Sequence, residues 1–262
     1  MFLAVDIGNS KTAFGVYAPG EPRSRLSWRL SSDARRTPDE YGLPCVQALR
    51  ERGIDPTALR GAGAVSVVPG LEPVLRKALE TWLGLTPAFI TAESQDVLAV
   101  AYNRPADLGP DRVVNAAFAF SRFGGPVLVV DVGTAVTFDL VAADGVFLGG
   151  AIFPGLDALT DALCRHGARL PRVSPTWAED PVGTSTAACI RSGVGHGFRF
   201  AVAGLMAAYR ERFPDGLRTV LTGGGAEGLA GVLPRVDAVE PDLTLDGVRF
   251  LCERRSHERT TP

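Results

Sequence analysis

The sequence has little of what marks a disulfide-stabilised, membrane-spanning or nucleic-acid-binding protein. Its four cysteines are widely spaced and include no CxxC pair, which argues against a disulfide framework or a zinc site. No apolar run approaches the roughly 18 residues of a membrane span, and no basic stretch leads into a long apolar run at the N-terminus. The net charge of −2 gives no electrostatic footprint for nucleic acid or an anionic membrane surface. We therefore expect a cytoplasmic protein that binds neither membranes nor nucleic acids.

What the sequence does contain is enough apolar material for a sizeable core. Its 262 residues are 46% hydrophobic and 21% charged, a composition typical of globular proteins. This length fits one large domain or two of ordinary size. The three histidines show no partner pattern, and we assign them no role.

A short stretch near the N-terminus is repeated in the middle of the chain. LAVDIGNSKTAFGVYAPG aligns without a gap with LVVDVGTAVTFDLVAADG, so that Asp6 matches Asp131 and Gly8 matches Gly133. Each copy predicts a β-strand, a tight turn at Asp-x-Gly and a second strand. Two such hairpins in the same register indicate a duplicated domain.

The remaining segments alternate between strand and helix patterns, which predicts an α/β fold of two similar lobes. We bound the lobes at residues 1–112 and 113–255, followed by a polar tail over 256–262, and we expect the basic pair Arg254-Arg255 to belong to a frayed, solvated end. No linker rich in Gly, Ser or Pro separates the lobes, so we expect them to pack closely over a cleft. The predicted strands are 26–30, 62–68, 86–90 and 219–222, and the predicted helices are 38–52, 71–83, 111–123, 186–212 and a short one from residue 226.

The repeated turn has the chemistry of a phosphate-binding loop. Glycine at a hairpin tip allows backbone N–H groups to approach an anion closely, and Asn9 and Ser10 add further donors. A carboxylate at the strand end can hold Mg²⁺ through water, because this ion keeps much of its hydration shell. Two such turns facing each other would grip a nucleotide polyphosphate. The alternative is an ordinary hairpin, since Asp-Gly-like turns are common in hairpins.

Several motifs occur together in the order found in a known family. They are DIGNS at the first turn, GPDR before the third predicted helix, DVGTA at the second turn, then GGAIFPG and finally LTGG. With two DxG hairpins and a late strand that ends in glycines, the sequence resembles the acetate kinase, hexokinase, Hsp70 and actin superfamily, and within it the type III pantothenate kinase family. The resemblance covers nearly the whole chain. It implies two actin-like (RNase H-like) lobes with a nucleotide cleft between them.

The resemblance also implies an activity, the ATP-dependent phosphorylation of pantothenate to 4′-phosphopantothenate, which opens coenzyme A synthesis. Asp111 would be the general base that accepts the proton of the pantothenate hydroxyl. Thr186 would reach pantothenate from the partner subunit, which implies a homodimer. The other residues implied at pantothenate are Tyr102, Gly109, Pro110 and Arg112, with Pro110 standing where the family often has a small residue.

Ordinary structural roles stay open for these residues. Asp111 also suits the N-cap of a helix from Arg112 onward. Arg112 suits a surface salt bridge, although a cation at a helix start is unfavourable against the helix dipole, which favours a ligand role. Thr184, Ser185 and Thr186 are three candidates for capping the following helix.

The cofactors that the resemblance implies are ATP, Mg²⁺ and a monovalent cation. Asp6 would organise Mg²⁺ through water, Thr134 would bind phosphate from the second turn, and Asp131 would hold K⁺ or NH₄⁺. Gly223 and Gly224 would lie beside the adenosine. The residues implied around the nucleotide from the first hairpin are Asp6, Ile7, Gly8, Asn9, Ser10, Lys11, Thr12 and Ala13.

Two other functions stay open at this point. One is a related small-molecule kinase with another acceptor, although Arg112 and Tyr102 favour an anionic, hydroxyl-bearing acceptor over a neutral sugar. The other is a non-catalytic regulatory or accessory protein on the same fold. The presence of Asp6, Asp111 and Asp131 together argues against this second possibility.

Overall fold

The computed structural model describes residues 1–167, 170–176 and 180–258. The chain forms two compact units. We call them the first unit, residues 1–122 together with the C-terminal segment from Asp242, and the second unit, residues 123–241.

The strands follow the predicted pattern and add three that the sequence did not predict, β6, β9 and β11. In chain order the strands are β1 (Phe2–Ile7), β2 (Lys11–Tyr17), β3 (Leu26–Ser31), β4 (Gly61–Ser66), β5 (Ala88–Phe89), β6 (Ala99–Val100), β7 (Val127–Val132), β8 (Ala135–Val141), β9 (Val146–Pro154), β10 (Arg218–Thr222) and β11 (Ala238–Val239).

The helices include all five predicted ones and two more, α4 and α7. They are α1 (Pro38–Glu51), α2 (Glu72–Leu83), α3 (Pro110–Phe123), α4 (Leu156–His166), α5 (Thr186–Arg212), α6 (Ala226–Ala230) and α7 (Leu243–Glu258). Among the residues that the structure describes, no helix is both long and apolar enough to cross a membrane.

Five strands of each sheet have the same topology, which confirms the duplicated α/β fold, and the second sheet has β6 as a sixth strand beside β9. The first unit has the strand order β3-β2-β1-β4-β5, and β9-β8-β7-β10-β11 follow in the same order in the second unit. In each, the first strand pairs antiparallel with the second and parallel with the fourth. The nucleotide cleft expected between the lobes stays a prediction.

The two hairpins nevertheless differ in register, and the gapless alignment was wrong on this point. In the first hairpin Asp6 lies opposite Ala13, whereas in the second Asp131 lies opposite Thr137. Four residues separate the last pair, Ile7 and Thr12, of the first hairpin, and three separate Val132 and Val136 in the second. The first turn is therefore one residue longer.

Local sequence signals explain where the helices begin. Thr37 caps α1 as predicted, because its hydroxyl accepts the Glu40 N–H at 3.4 Å while the Glu40 carboxylate accepts the Thr37 N–H at 2.8 Å. This reciprocal pair satisfies two of the N–H groups that a helix start leaves without partners. Gly84 ends α2 in the left-handed conformation, with φ 65°, which glycine adopts without steric cost.

Each face of the first sheet is covered by helices. Helices α1 and α2 pack their buried residues against Leu3, Val5 and Ile7 of β1, while α7 packs against β1 and β4. On the α7 side the strands carry small residues, since a Cβ on Gly63 would lie 2.4 Å from the Cys252 sulfur. A central strand covered on both faces explains the continuous apolar pattern of β1.

The C-terminal end is a helix rather than the frayed end expected, so that expectation was wrong. Leu245, Val248 and Leu251 are buried along one stripe of α7 at spacings of three residues, which is the periodicity of an amphipathic helix. Arg254 lies in α7 and pairs with Asp96 at 2.7 Å. Residues 259–262 of the predicted tail lie outside the described residues.

Because α7 packs against β1, the observed units also divide the chain differently from the predicted bounds at 112/113 and 255/256. The predicted lobes treat each half of the sequence as one folding unit. The structure instead groups the last helix with the first sheet.

A buried hydrogen bond fixes α7 on the first sheet. The Tyr17 hydroxyl at the end of β2 donates to the Asp246 carboxylate at 2.6 Å, and the two residues are 1% and 8% exposed. The Arg249 guanidinium lies over the Tyr17 ring at 5.2 Å. Burial, with the Asp246 charge, raises the pKa of Tyr17 far above its ordinary value, so the hydroxyl stays a donor.

We predict that Tyr17→Phe lowers the free energy of unfolding by about 2 kcal/mol, because it leaves the buried Asp246 carboxylate without this donor. Urea denaturation followed by circular dichroism measures the change. The double variant Tyr17→Phe/Asp246→Leu should recover part of the loss, since both polar groups are then absent. Equal stability of Tyr17→Phe and the wild type would contradict the assignment.

Candidate functional site

The second hairpin turn presents an exposed, polar tip on a buried base. Gly133, Thr134 and Ala135 are exposed between the buried residues Val132 and Val136. The Gly133 N–H donates to the Ala135 carbonyl at 3.0 Å. This N–H therefore closes the turn and does not face a ligand, contrary to the simplest interpretation of a glycine at a phosphate loop.

Two other sequence motifs meet at this turn. The Gly155 N–H, at the end of GGAIFPG, donates to the Thr134 carbonyl at 3.1 Å, and the Gly225 N–H donates to the Val132 carbonyl at 3.0 Å. A Cβ on Gly155 would lie 2.4 Å from the Gly133 carbonyl oxygen. The structure thus brings together segments that are 21 and 93 residues apart in sequence, and it does so by backbone approaches that only glycine permits.

The Asp131 carboxylate packs directly against the backbone of Gly223. Gly223 has φ 87°, and a Cβ there would lie 2.3 Å from Asp131 Oδ1 and 2.8 Å from the Val132 N and O atoms. Asp131 itself is half-buried near the end of β7, opposite Thr222 of β10. The predicted residues Asp131, Thr134 and Gly223 therefore lie around one turn of the second unit.

The donor chemistry at Asp131 fits a cation with mainly oxygen ligands. Within the described residues, no group of three or more His, Cys, Asp or Glu side chains is placed to hold a metal ion. A single carboxylate beside backbone carbonyls suits an ion that takes its other ligands from water or substrate. The same argument applies to Asp6, which is half-buried on β1.

The first turn has a similar construction. The Gly8 N–H donates to the Lys11 carbonyl at 3.1 Å, and Asn9, Ser10 and Lys11 are exposed. Below the tip, Thr12 is fully buried, and its hydroxyl is 2.9 Å from that of Ser32. Ile7 and Ala13 are also buried. The exposed donors of the turn are thus supported by buried residues. A loop that binds a charged ligand needs such support to keep its shape.

Asp111 lies in the first turn of α3. The helix begins at Pro110, so Asp111 is its second residue and not the N-cap that the sequence suggested. The Gly109 carbonyl accepts the Arg112 N–H at 3.1 Å, and Asp111 Oδ1 accepts the same N–H at 2.8 Å. Pro110 suits this start because proline at the first helical position sacrifices no hydrogen bond.

The surroundings of Asp111 make it a stronger base than an ordinary aspartate. Burial raises its pKa above the ordinary value, against the lowering effects of the Arg112 N–H and the Arg112 charge. A Cβ on Gly109 would lie 2.7 Å from Asp111 Oδ1, so glycine allows the carboxylate to fold back over the turn. A carboxylate whose pKa is raised by desolvation is suited to act as a general base.

Arg112 is only 8% exposed, which excludes the surface salt bridge considered from the sequence. The segment before it is anchored by buried Leu108 and by an ion pair at 3.3 Å between Arg104 and Asp107. Tyr102 is half-buried earlier in this segment. Asp111, Arg112 and Gly109 therefore form one compact turn, with Tyr102 on the loop that leads into it.

Ser185 settles which residue caps α5. Its side chain accepts the Ala188 N–H at 3.2 Å, and the helix begins at Thr186. Gly183 lies against the helix start, where a Cβ would be 2.4 Å from the Cys189 N atom. Thr186 is exposed, and the cap bond is made by Ser185 and not by Thr186.

Sequence reasoning did not assign a site role to Gly155 or Asp139. Gly155 was signalled only by its position inside the GGAIFPG motif, because close approach between distant segments has no local signature. Asp139 had a local signal that was overlooked. It is an acid inside the apolar strand TFDLV, and it is fully buried.

Comparisons with known proteins agree with this arrangement. Residues 2–208 match the family model described as type III pantothenate kinase. A type III pantothenate kinase from Anaeromyxobacter sp. (strain Fw109-5) is 39% identical over 254 residues, which cover 97% of this chain and 99% of the relative.

Solved structures share the fold at lower identity. A Campylobacter jejuni protein provisionally described as a Baf family transcriptional activator has a TM-score of 0.61 at 18% identity, covering 97% of this chain and 99% of that chain. An inorganic polyphosphate/ATP-glucomannokinase from Arthrobacter sp. strain KM has a TM-score of 0.51 at 14% identity, covering 97% and 98%. These likenesses support the two-lobed α/β fold and nothing further.

We predict that Gly223→Ala destabilises the protein by about 2–4 kcal/mol, since it combines a left-handed backbone with a Cβ placed against Asp131 and Val132. Gly224→Ala is the matched control, because nothing lies within 4 Å of a Cβ at that position, and it should change stability by less than about 1 kcal/mol. Thermal unfolding compares the two. Equal melting temperatures of the two variants would mean that the close approach of the Gly223 backbone to Asp131 is not required for stability.

Proposed function

The chain belongs to the type III pantothenate kinase family and phosphorylates pantothenate on the route to coenzyme A, and we propose how its residues do so. ATP donates its γ-phosphoryl group to the primary hydroxyl of pantothenate, and the product is 4′-phosphopantothenate. Asp111 accepts the proton of that hydroxyl. The observation that carries this assignment is the desolvated carboxylate of Asp111 at the start of α3.

Asp111 orients the hydroxyl and takes its proton late in the reaction. Oδ1 is held by the Arg112 N–H at 2.8 Å, and we assign the other oxygen, Oδ2, to the substrate. Phosphoryl transfer passes through a loose transition state, so positioning and charge neutralisation supply most of the acceleration. The base itself contributes about 10²- to 10⁴-fold.

The turn around Asp111 also binds the rest of pantothenate, which carries a carboxylate. The buried Arg112 guanidinium supplies a compensating charge, because a guanidinium forms paired hydrogen bonds with a carboxylate. Tyr102 contacts the substrate from the preceding loop. Gly109 and Pro110 shape the wall of the site, with Pro110 limiting the motion of the loop.

The two hairpin turns bind the polyphosphate of ATP. Asn9, Ser10 and Lys11 are exposed at the tip of the first turn, and Thr134 is exposed at the tip of the second. Gly8 shapes the first tip, and the buried residues Ile7, Thr12 and Ala13 support it. Gly223 and Gly224 lie beside the adenosine.

Two carboxylates complete the site by holding cations. Asp6 would hold Mg²⁺ through water, and the ion would supply positive charge beside the phosphates. Asp131 holds K⁺ or NH₄⁺ beside the second turn. Both assignments rest on single, half-buried carboxylates, which leave room for water and phosphate oxygens as the remaining ligands.

The protein acts as a homodimer in which Thr186 contacts the pantothenate bound to the partner. Its exposed side chain at the start of α5, unused in the helix cap, is available for such a contact. A hydroxyl at a helix start suits a polar or anionic ligand, because N–H groups without helical partners lie beside it.

We predict that Asp111→Asn reduces kcat about 10²- to 10⁴-fold, because Asn cannot accept the proton. Incubation with pantothenate, ATP, Mg²⁺ and K⁺, with product measured by mass spectrometry, gives the rate.

The Asp111→Asn variant should be at least as stable as the wild type at neutral pH. The raised pKa means that the charge at Asp111 is unfavourable in the folded protein, a cost present once the pH exceeds the folded pKa. The stability gain should vanish below about pH 4, where the carboxyl is protonated in both states.

Asp107→Asn is the control, since Asp107 is an exposed carboxylate of the same segment and should keep the wild-type rate. Full activity in a folded Asp111→Asn variant would remove Asp111 from the role of base. Folded wild-type protein that binds ATP but yields no product from pantothenate would instead favour another acceptor.

The shared site predicts complementation between two inactive variants. Asp111→Asn and Thr186→Ala should each be impaired alone. In mixed dimers, one of the two sites receives both native residues, so random exchange of subunits should restore about a quarter of the wild-type activity. Activity of the mixture is measured after the subunits have exchanged.

The control for this experiment is the double variant Asp111→Asn/Thr186→Ala mixed with wild type, in which every mixed-dimer site lacks one native residue. No restoration in the first mixture, with mixed dimers demonstrated by mass spectrometry, would place Thr186 in the site of its own chain. A fully active monomer in sedimentation would also contradict the shared site.

A further inference from the structure

Asp139 is a fully buried acidic residue of the second unit. It lies on β8 between Phe138 and Leu140, and its exposure is 0%. Removing a carboxylate from water costs several kcal/mol unless hydrogen bonds or an opposite charge compensate. The groups that Asp139 contacts are therefore a guide to its role.

The Thr137 hydroxyl donates to Asp139 Oδ2 at 3.0 Å. A carboxylate only accepts hydrogen bonds, so this contact commits the hydroxyl proton to Asp139. The two lone pairs of the Thr137 oxygen remain for an electron-poor partner. Asp139 thus turns a hydroxyl, which ordinarily donates or accepts, into an oxygen that acts as a ligand or acceptor.

Strand register places Thr137 next to Asp131. Thr137 on β8 lies directly opposite Asp131 on β7, and residues in that relation share a face with Cβ atoms about 5 Å apart. Thr137 and Asp139 also share a face, because side chains alternate along a strand. Asp131, Thr137 and Asp139 therefore form a row on one face of the second sheet, running from the exposed turn into the core.

We propose that Thr137 supplies an oxygen to the cation at Asp131, and that Asp139 is the positioning residue that orients the Thr137 hydroxyl so that its oxygen faces K⁺ or NH₄⁺. The inference rests on the proposed function, in which Asp131 holds that cation. The Asp131 carboxylate is negatively charged, and the Thr137 oxygen carries a negative partial charge on the side away from its donated proton. A cation beside them is attracted to both. The row accordingly selects a positive occupant.

The cation response of variants tests this role separately from stability. In the absence of substrates, K⁺ should raise the melting temperature of the wild type more than Na⁺ does at equal ionic strength, because binding to the folded state stabilises it. Thr137→Val should lose this difference, and Thr137→Ser, which keeps the hydroxyl, should retain it. Asp139→Asn should weaken it.

Enzyme kinetics supply the second readout. The K⁺ concentration for half-maximal activity should rise about 10- to 100-fold in Thr137→Val, the usual cost of losing a group that orients a metal ligand. At saturating K⁺ the kcat should return to near the wild-type value. Thr160→Val is the matched control, because it removes a buried hydroxyl that donates to the Leu156 carbonyl at 3.0 Å in α4. It should lower stability without changing the K⁺ response.

The outcomes separate this inference from the proposed function. A wild-type K⁺ response in Thr137→Val, with a stability loss like that of Thr160→Val, would leave the pair a structural role only and overturn the inference. Product formed equally in K⁺ and Na⁺, without a K⁺-specific melting shift, would remove the cation and this inference but keep the kinase. Thr137→Val could lose the K⁺-specific rise in melting temperature while the wild type forms no product from pantothenate. This result would support the cation site and reject pantothenate as the acceptor. If Asp139→Asn fails to fold, the comparison of Thr137→Val with Thr137→Ser decides alone.

Discussion

The second unit depends on backbone segments that approach one another more closely than a Cβ would allow. Around the turn at residues 133–135, Gly155 contacts the carbonyls of Gly133 and Thr134, and Gly223 contacts the Asp131 carboxylate. These approaches join the ends of β7, β9 and β10 into one platform. An exposed tip such as Thr134 can hold a fixed position because the atoms beneath it have no room to move. The motif glycines thus act by lacking a side chain, which leaves space for the neighbouring backbone and for the Asp131 carboxylate.

Asp246, Asp139 and Asp111 are three buried or half-buried acids whose carboxylates have different roles. Asp246 is held by Tyr17, so its burial serves the attachment of α7. Asp139 is held by Thr137, and its burial serves the neighbouring row. Asp111 is desolvated at a helix start, where its raised pKa makes proton acceptance easier while its charge reduces stability. In its proposed role as base, Asp111 shows the usual opposition between stability and activity, in which the functional group is unfavourable for the resting fold.

The sequence predicted the features that are encoded locally and missed those that depend on tertiary contacts. The capping box at Thr37 and Glu40, the bounds of α5 and the repeated hairpin could all be predicted, because each has a short signature. The one-residue difference between the two turns was not predicted, because a gapless alignment compares residue types and does not show which residues pair across a hairpin. Helix α7 escaped because polar residues surround its buried stripe. The N-cap alternative for Asp111 was wrong because it overlooked Pro110, since proline favours the first helical position and opens the helix one residue earlier.

The hydrogen bond between Tyr17 and Asp246 joins residues 229 positions apart, and this separation has a consequence for the order of assembly. On the ribosome, the first sheet emerges early but lacks the helix that covers one of its faces until α7 has been made. The second unit is continuous over residues 123–241, so all its segments are available before the first unit is finished. Domains fold as units when their parts become available. The second unit, although its synthesis starts later, is therefore the first to have all its segments, and the nascent first sheet must wait with one face uncovered.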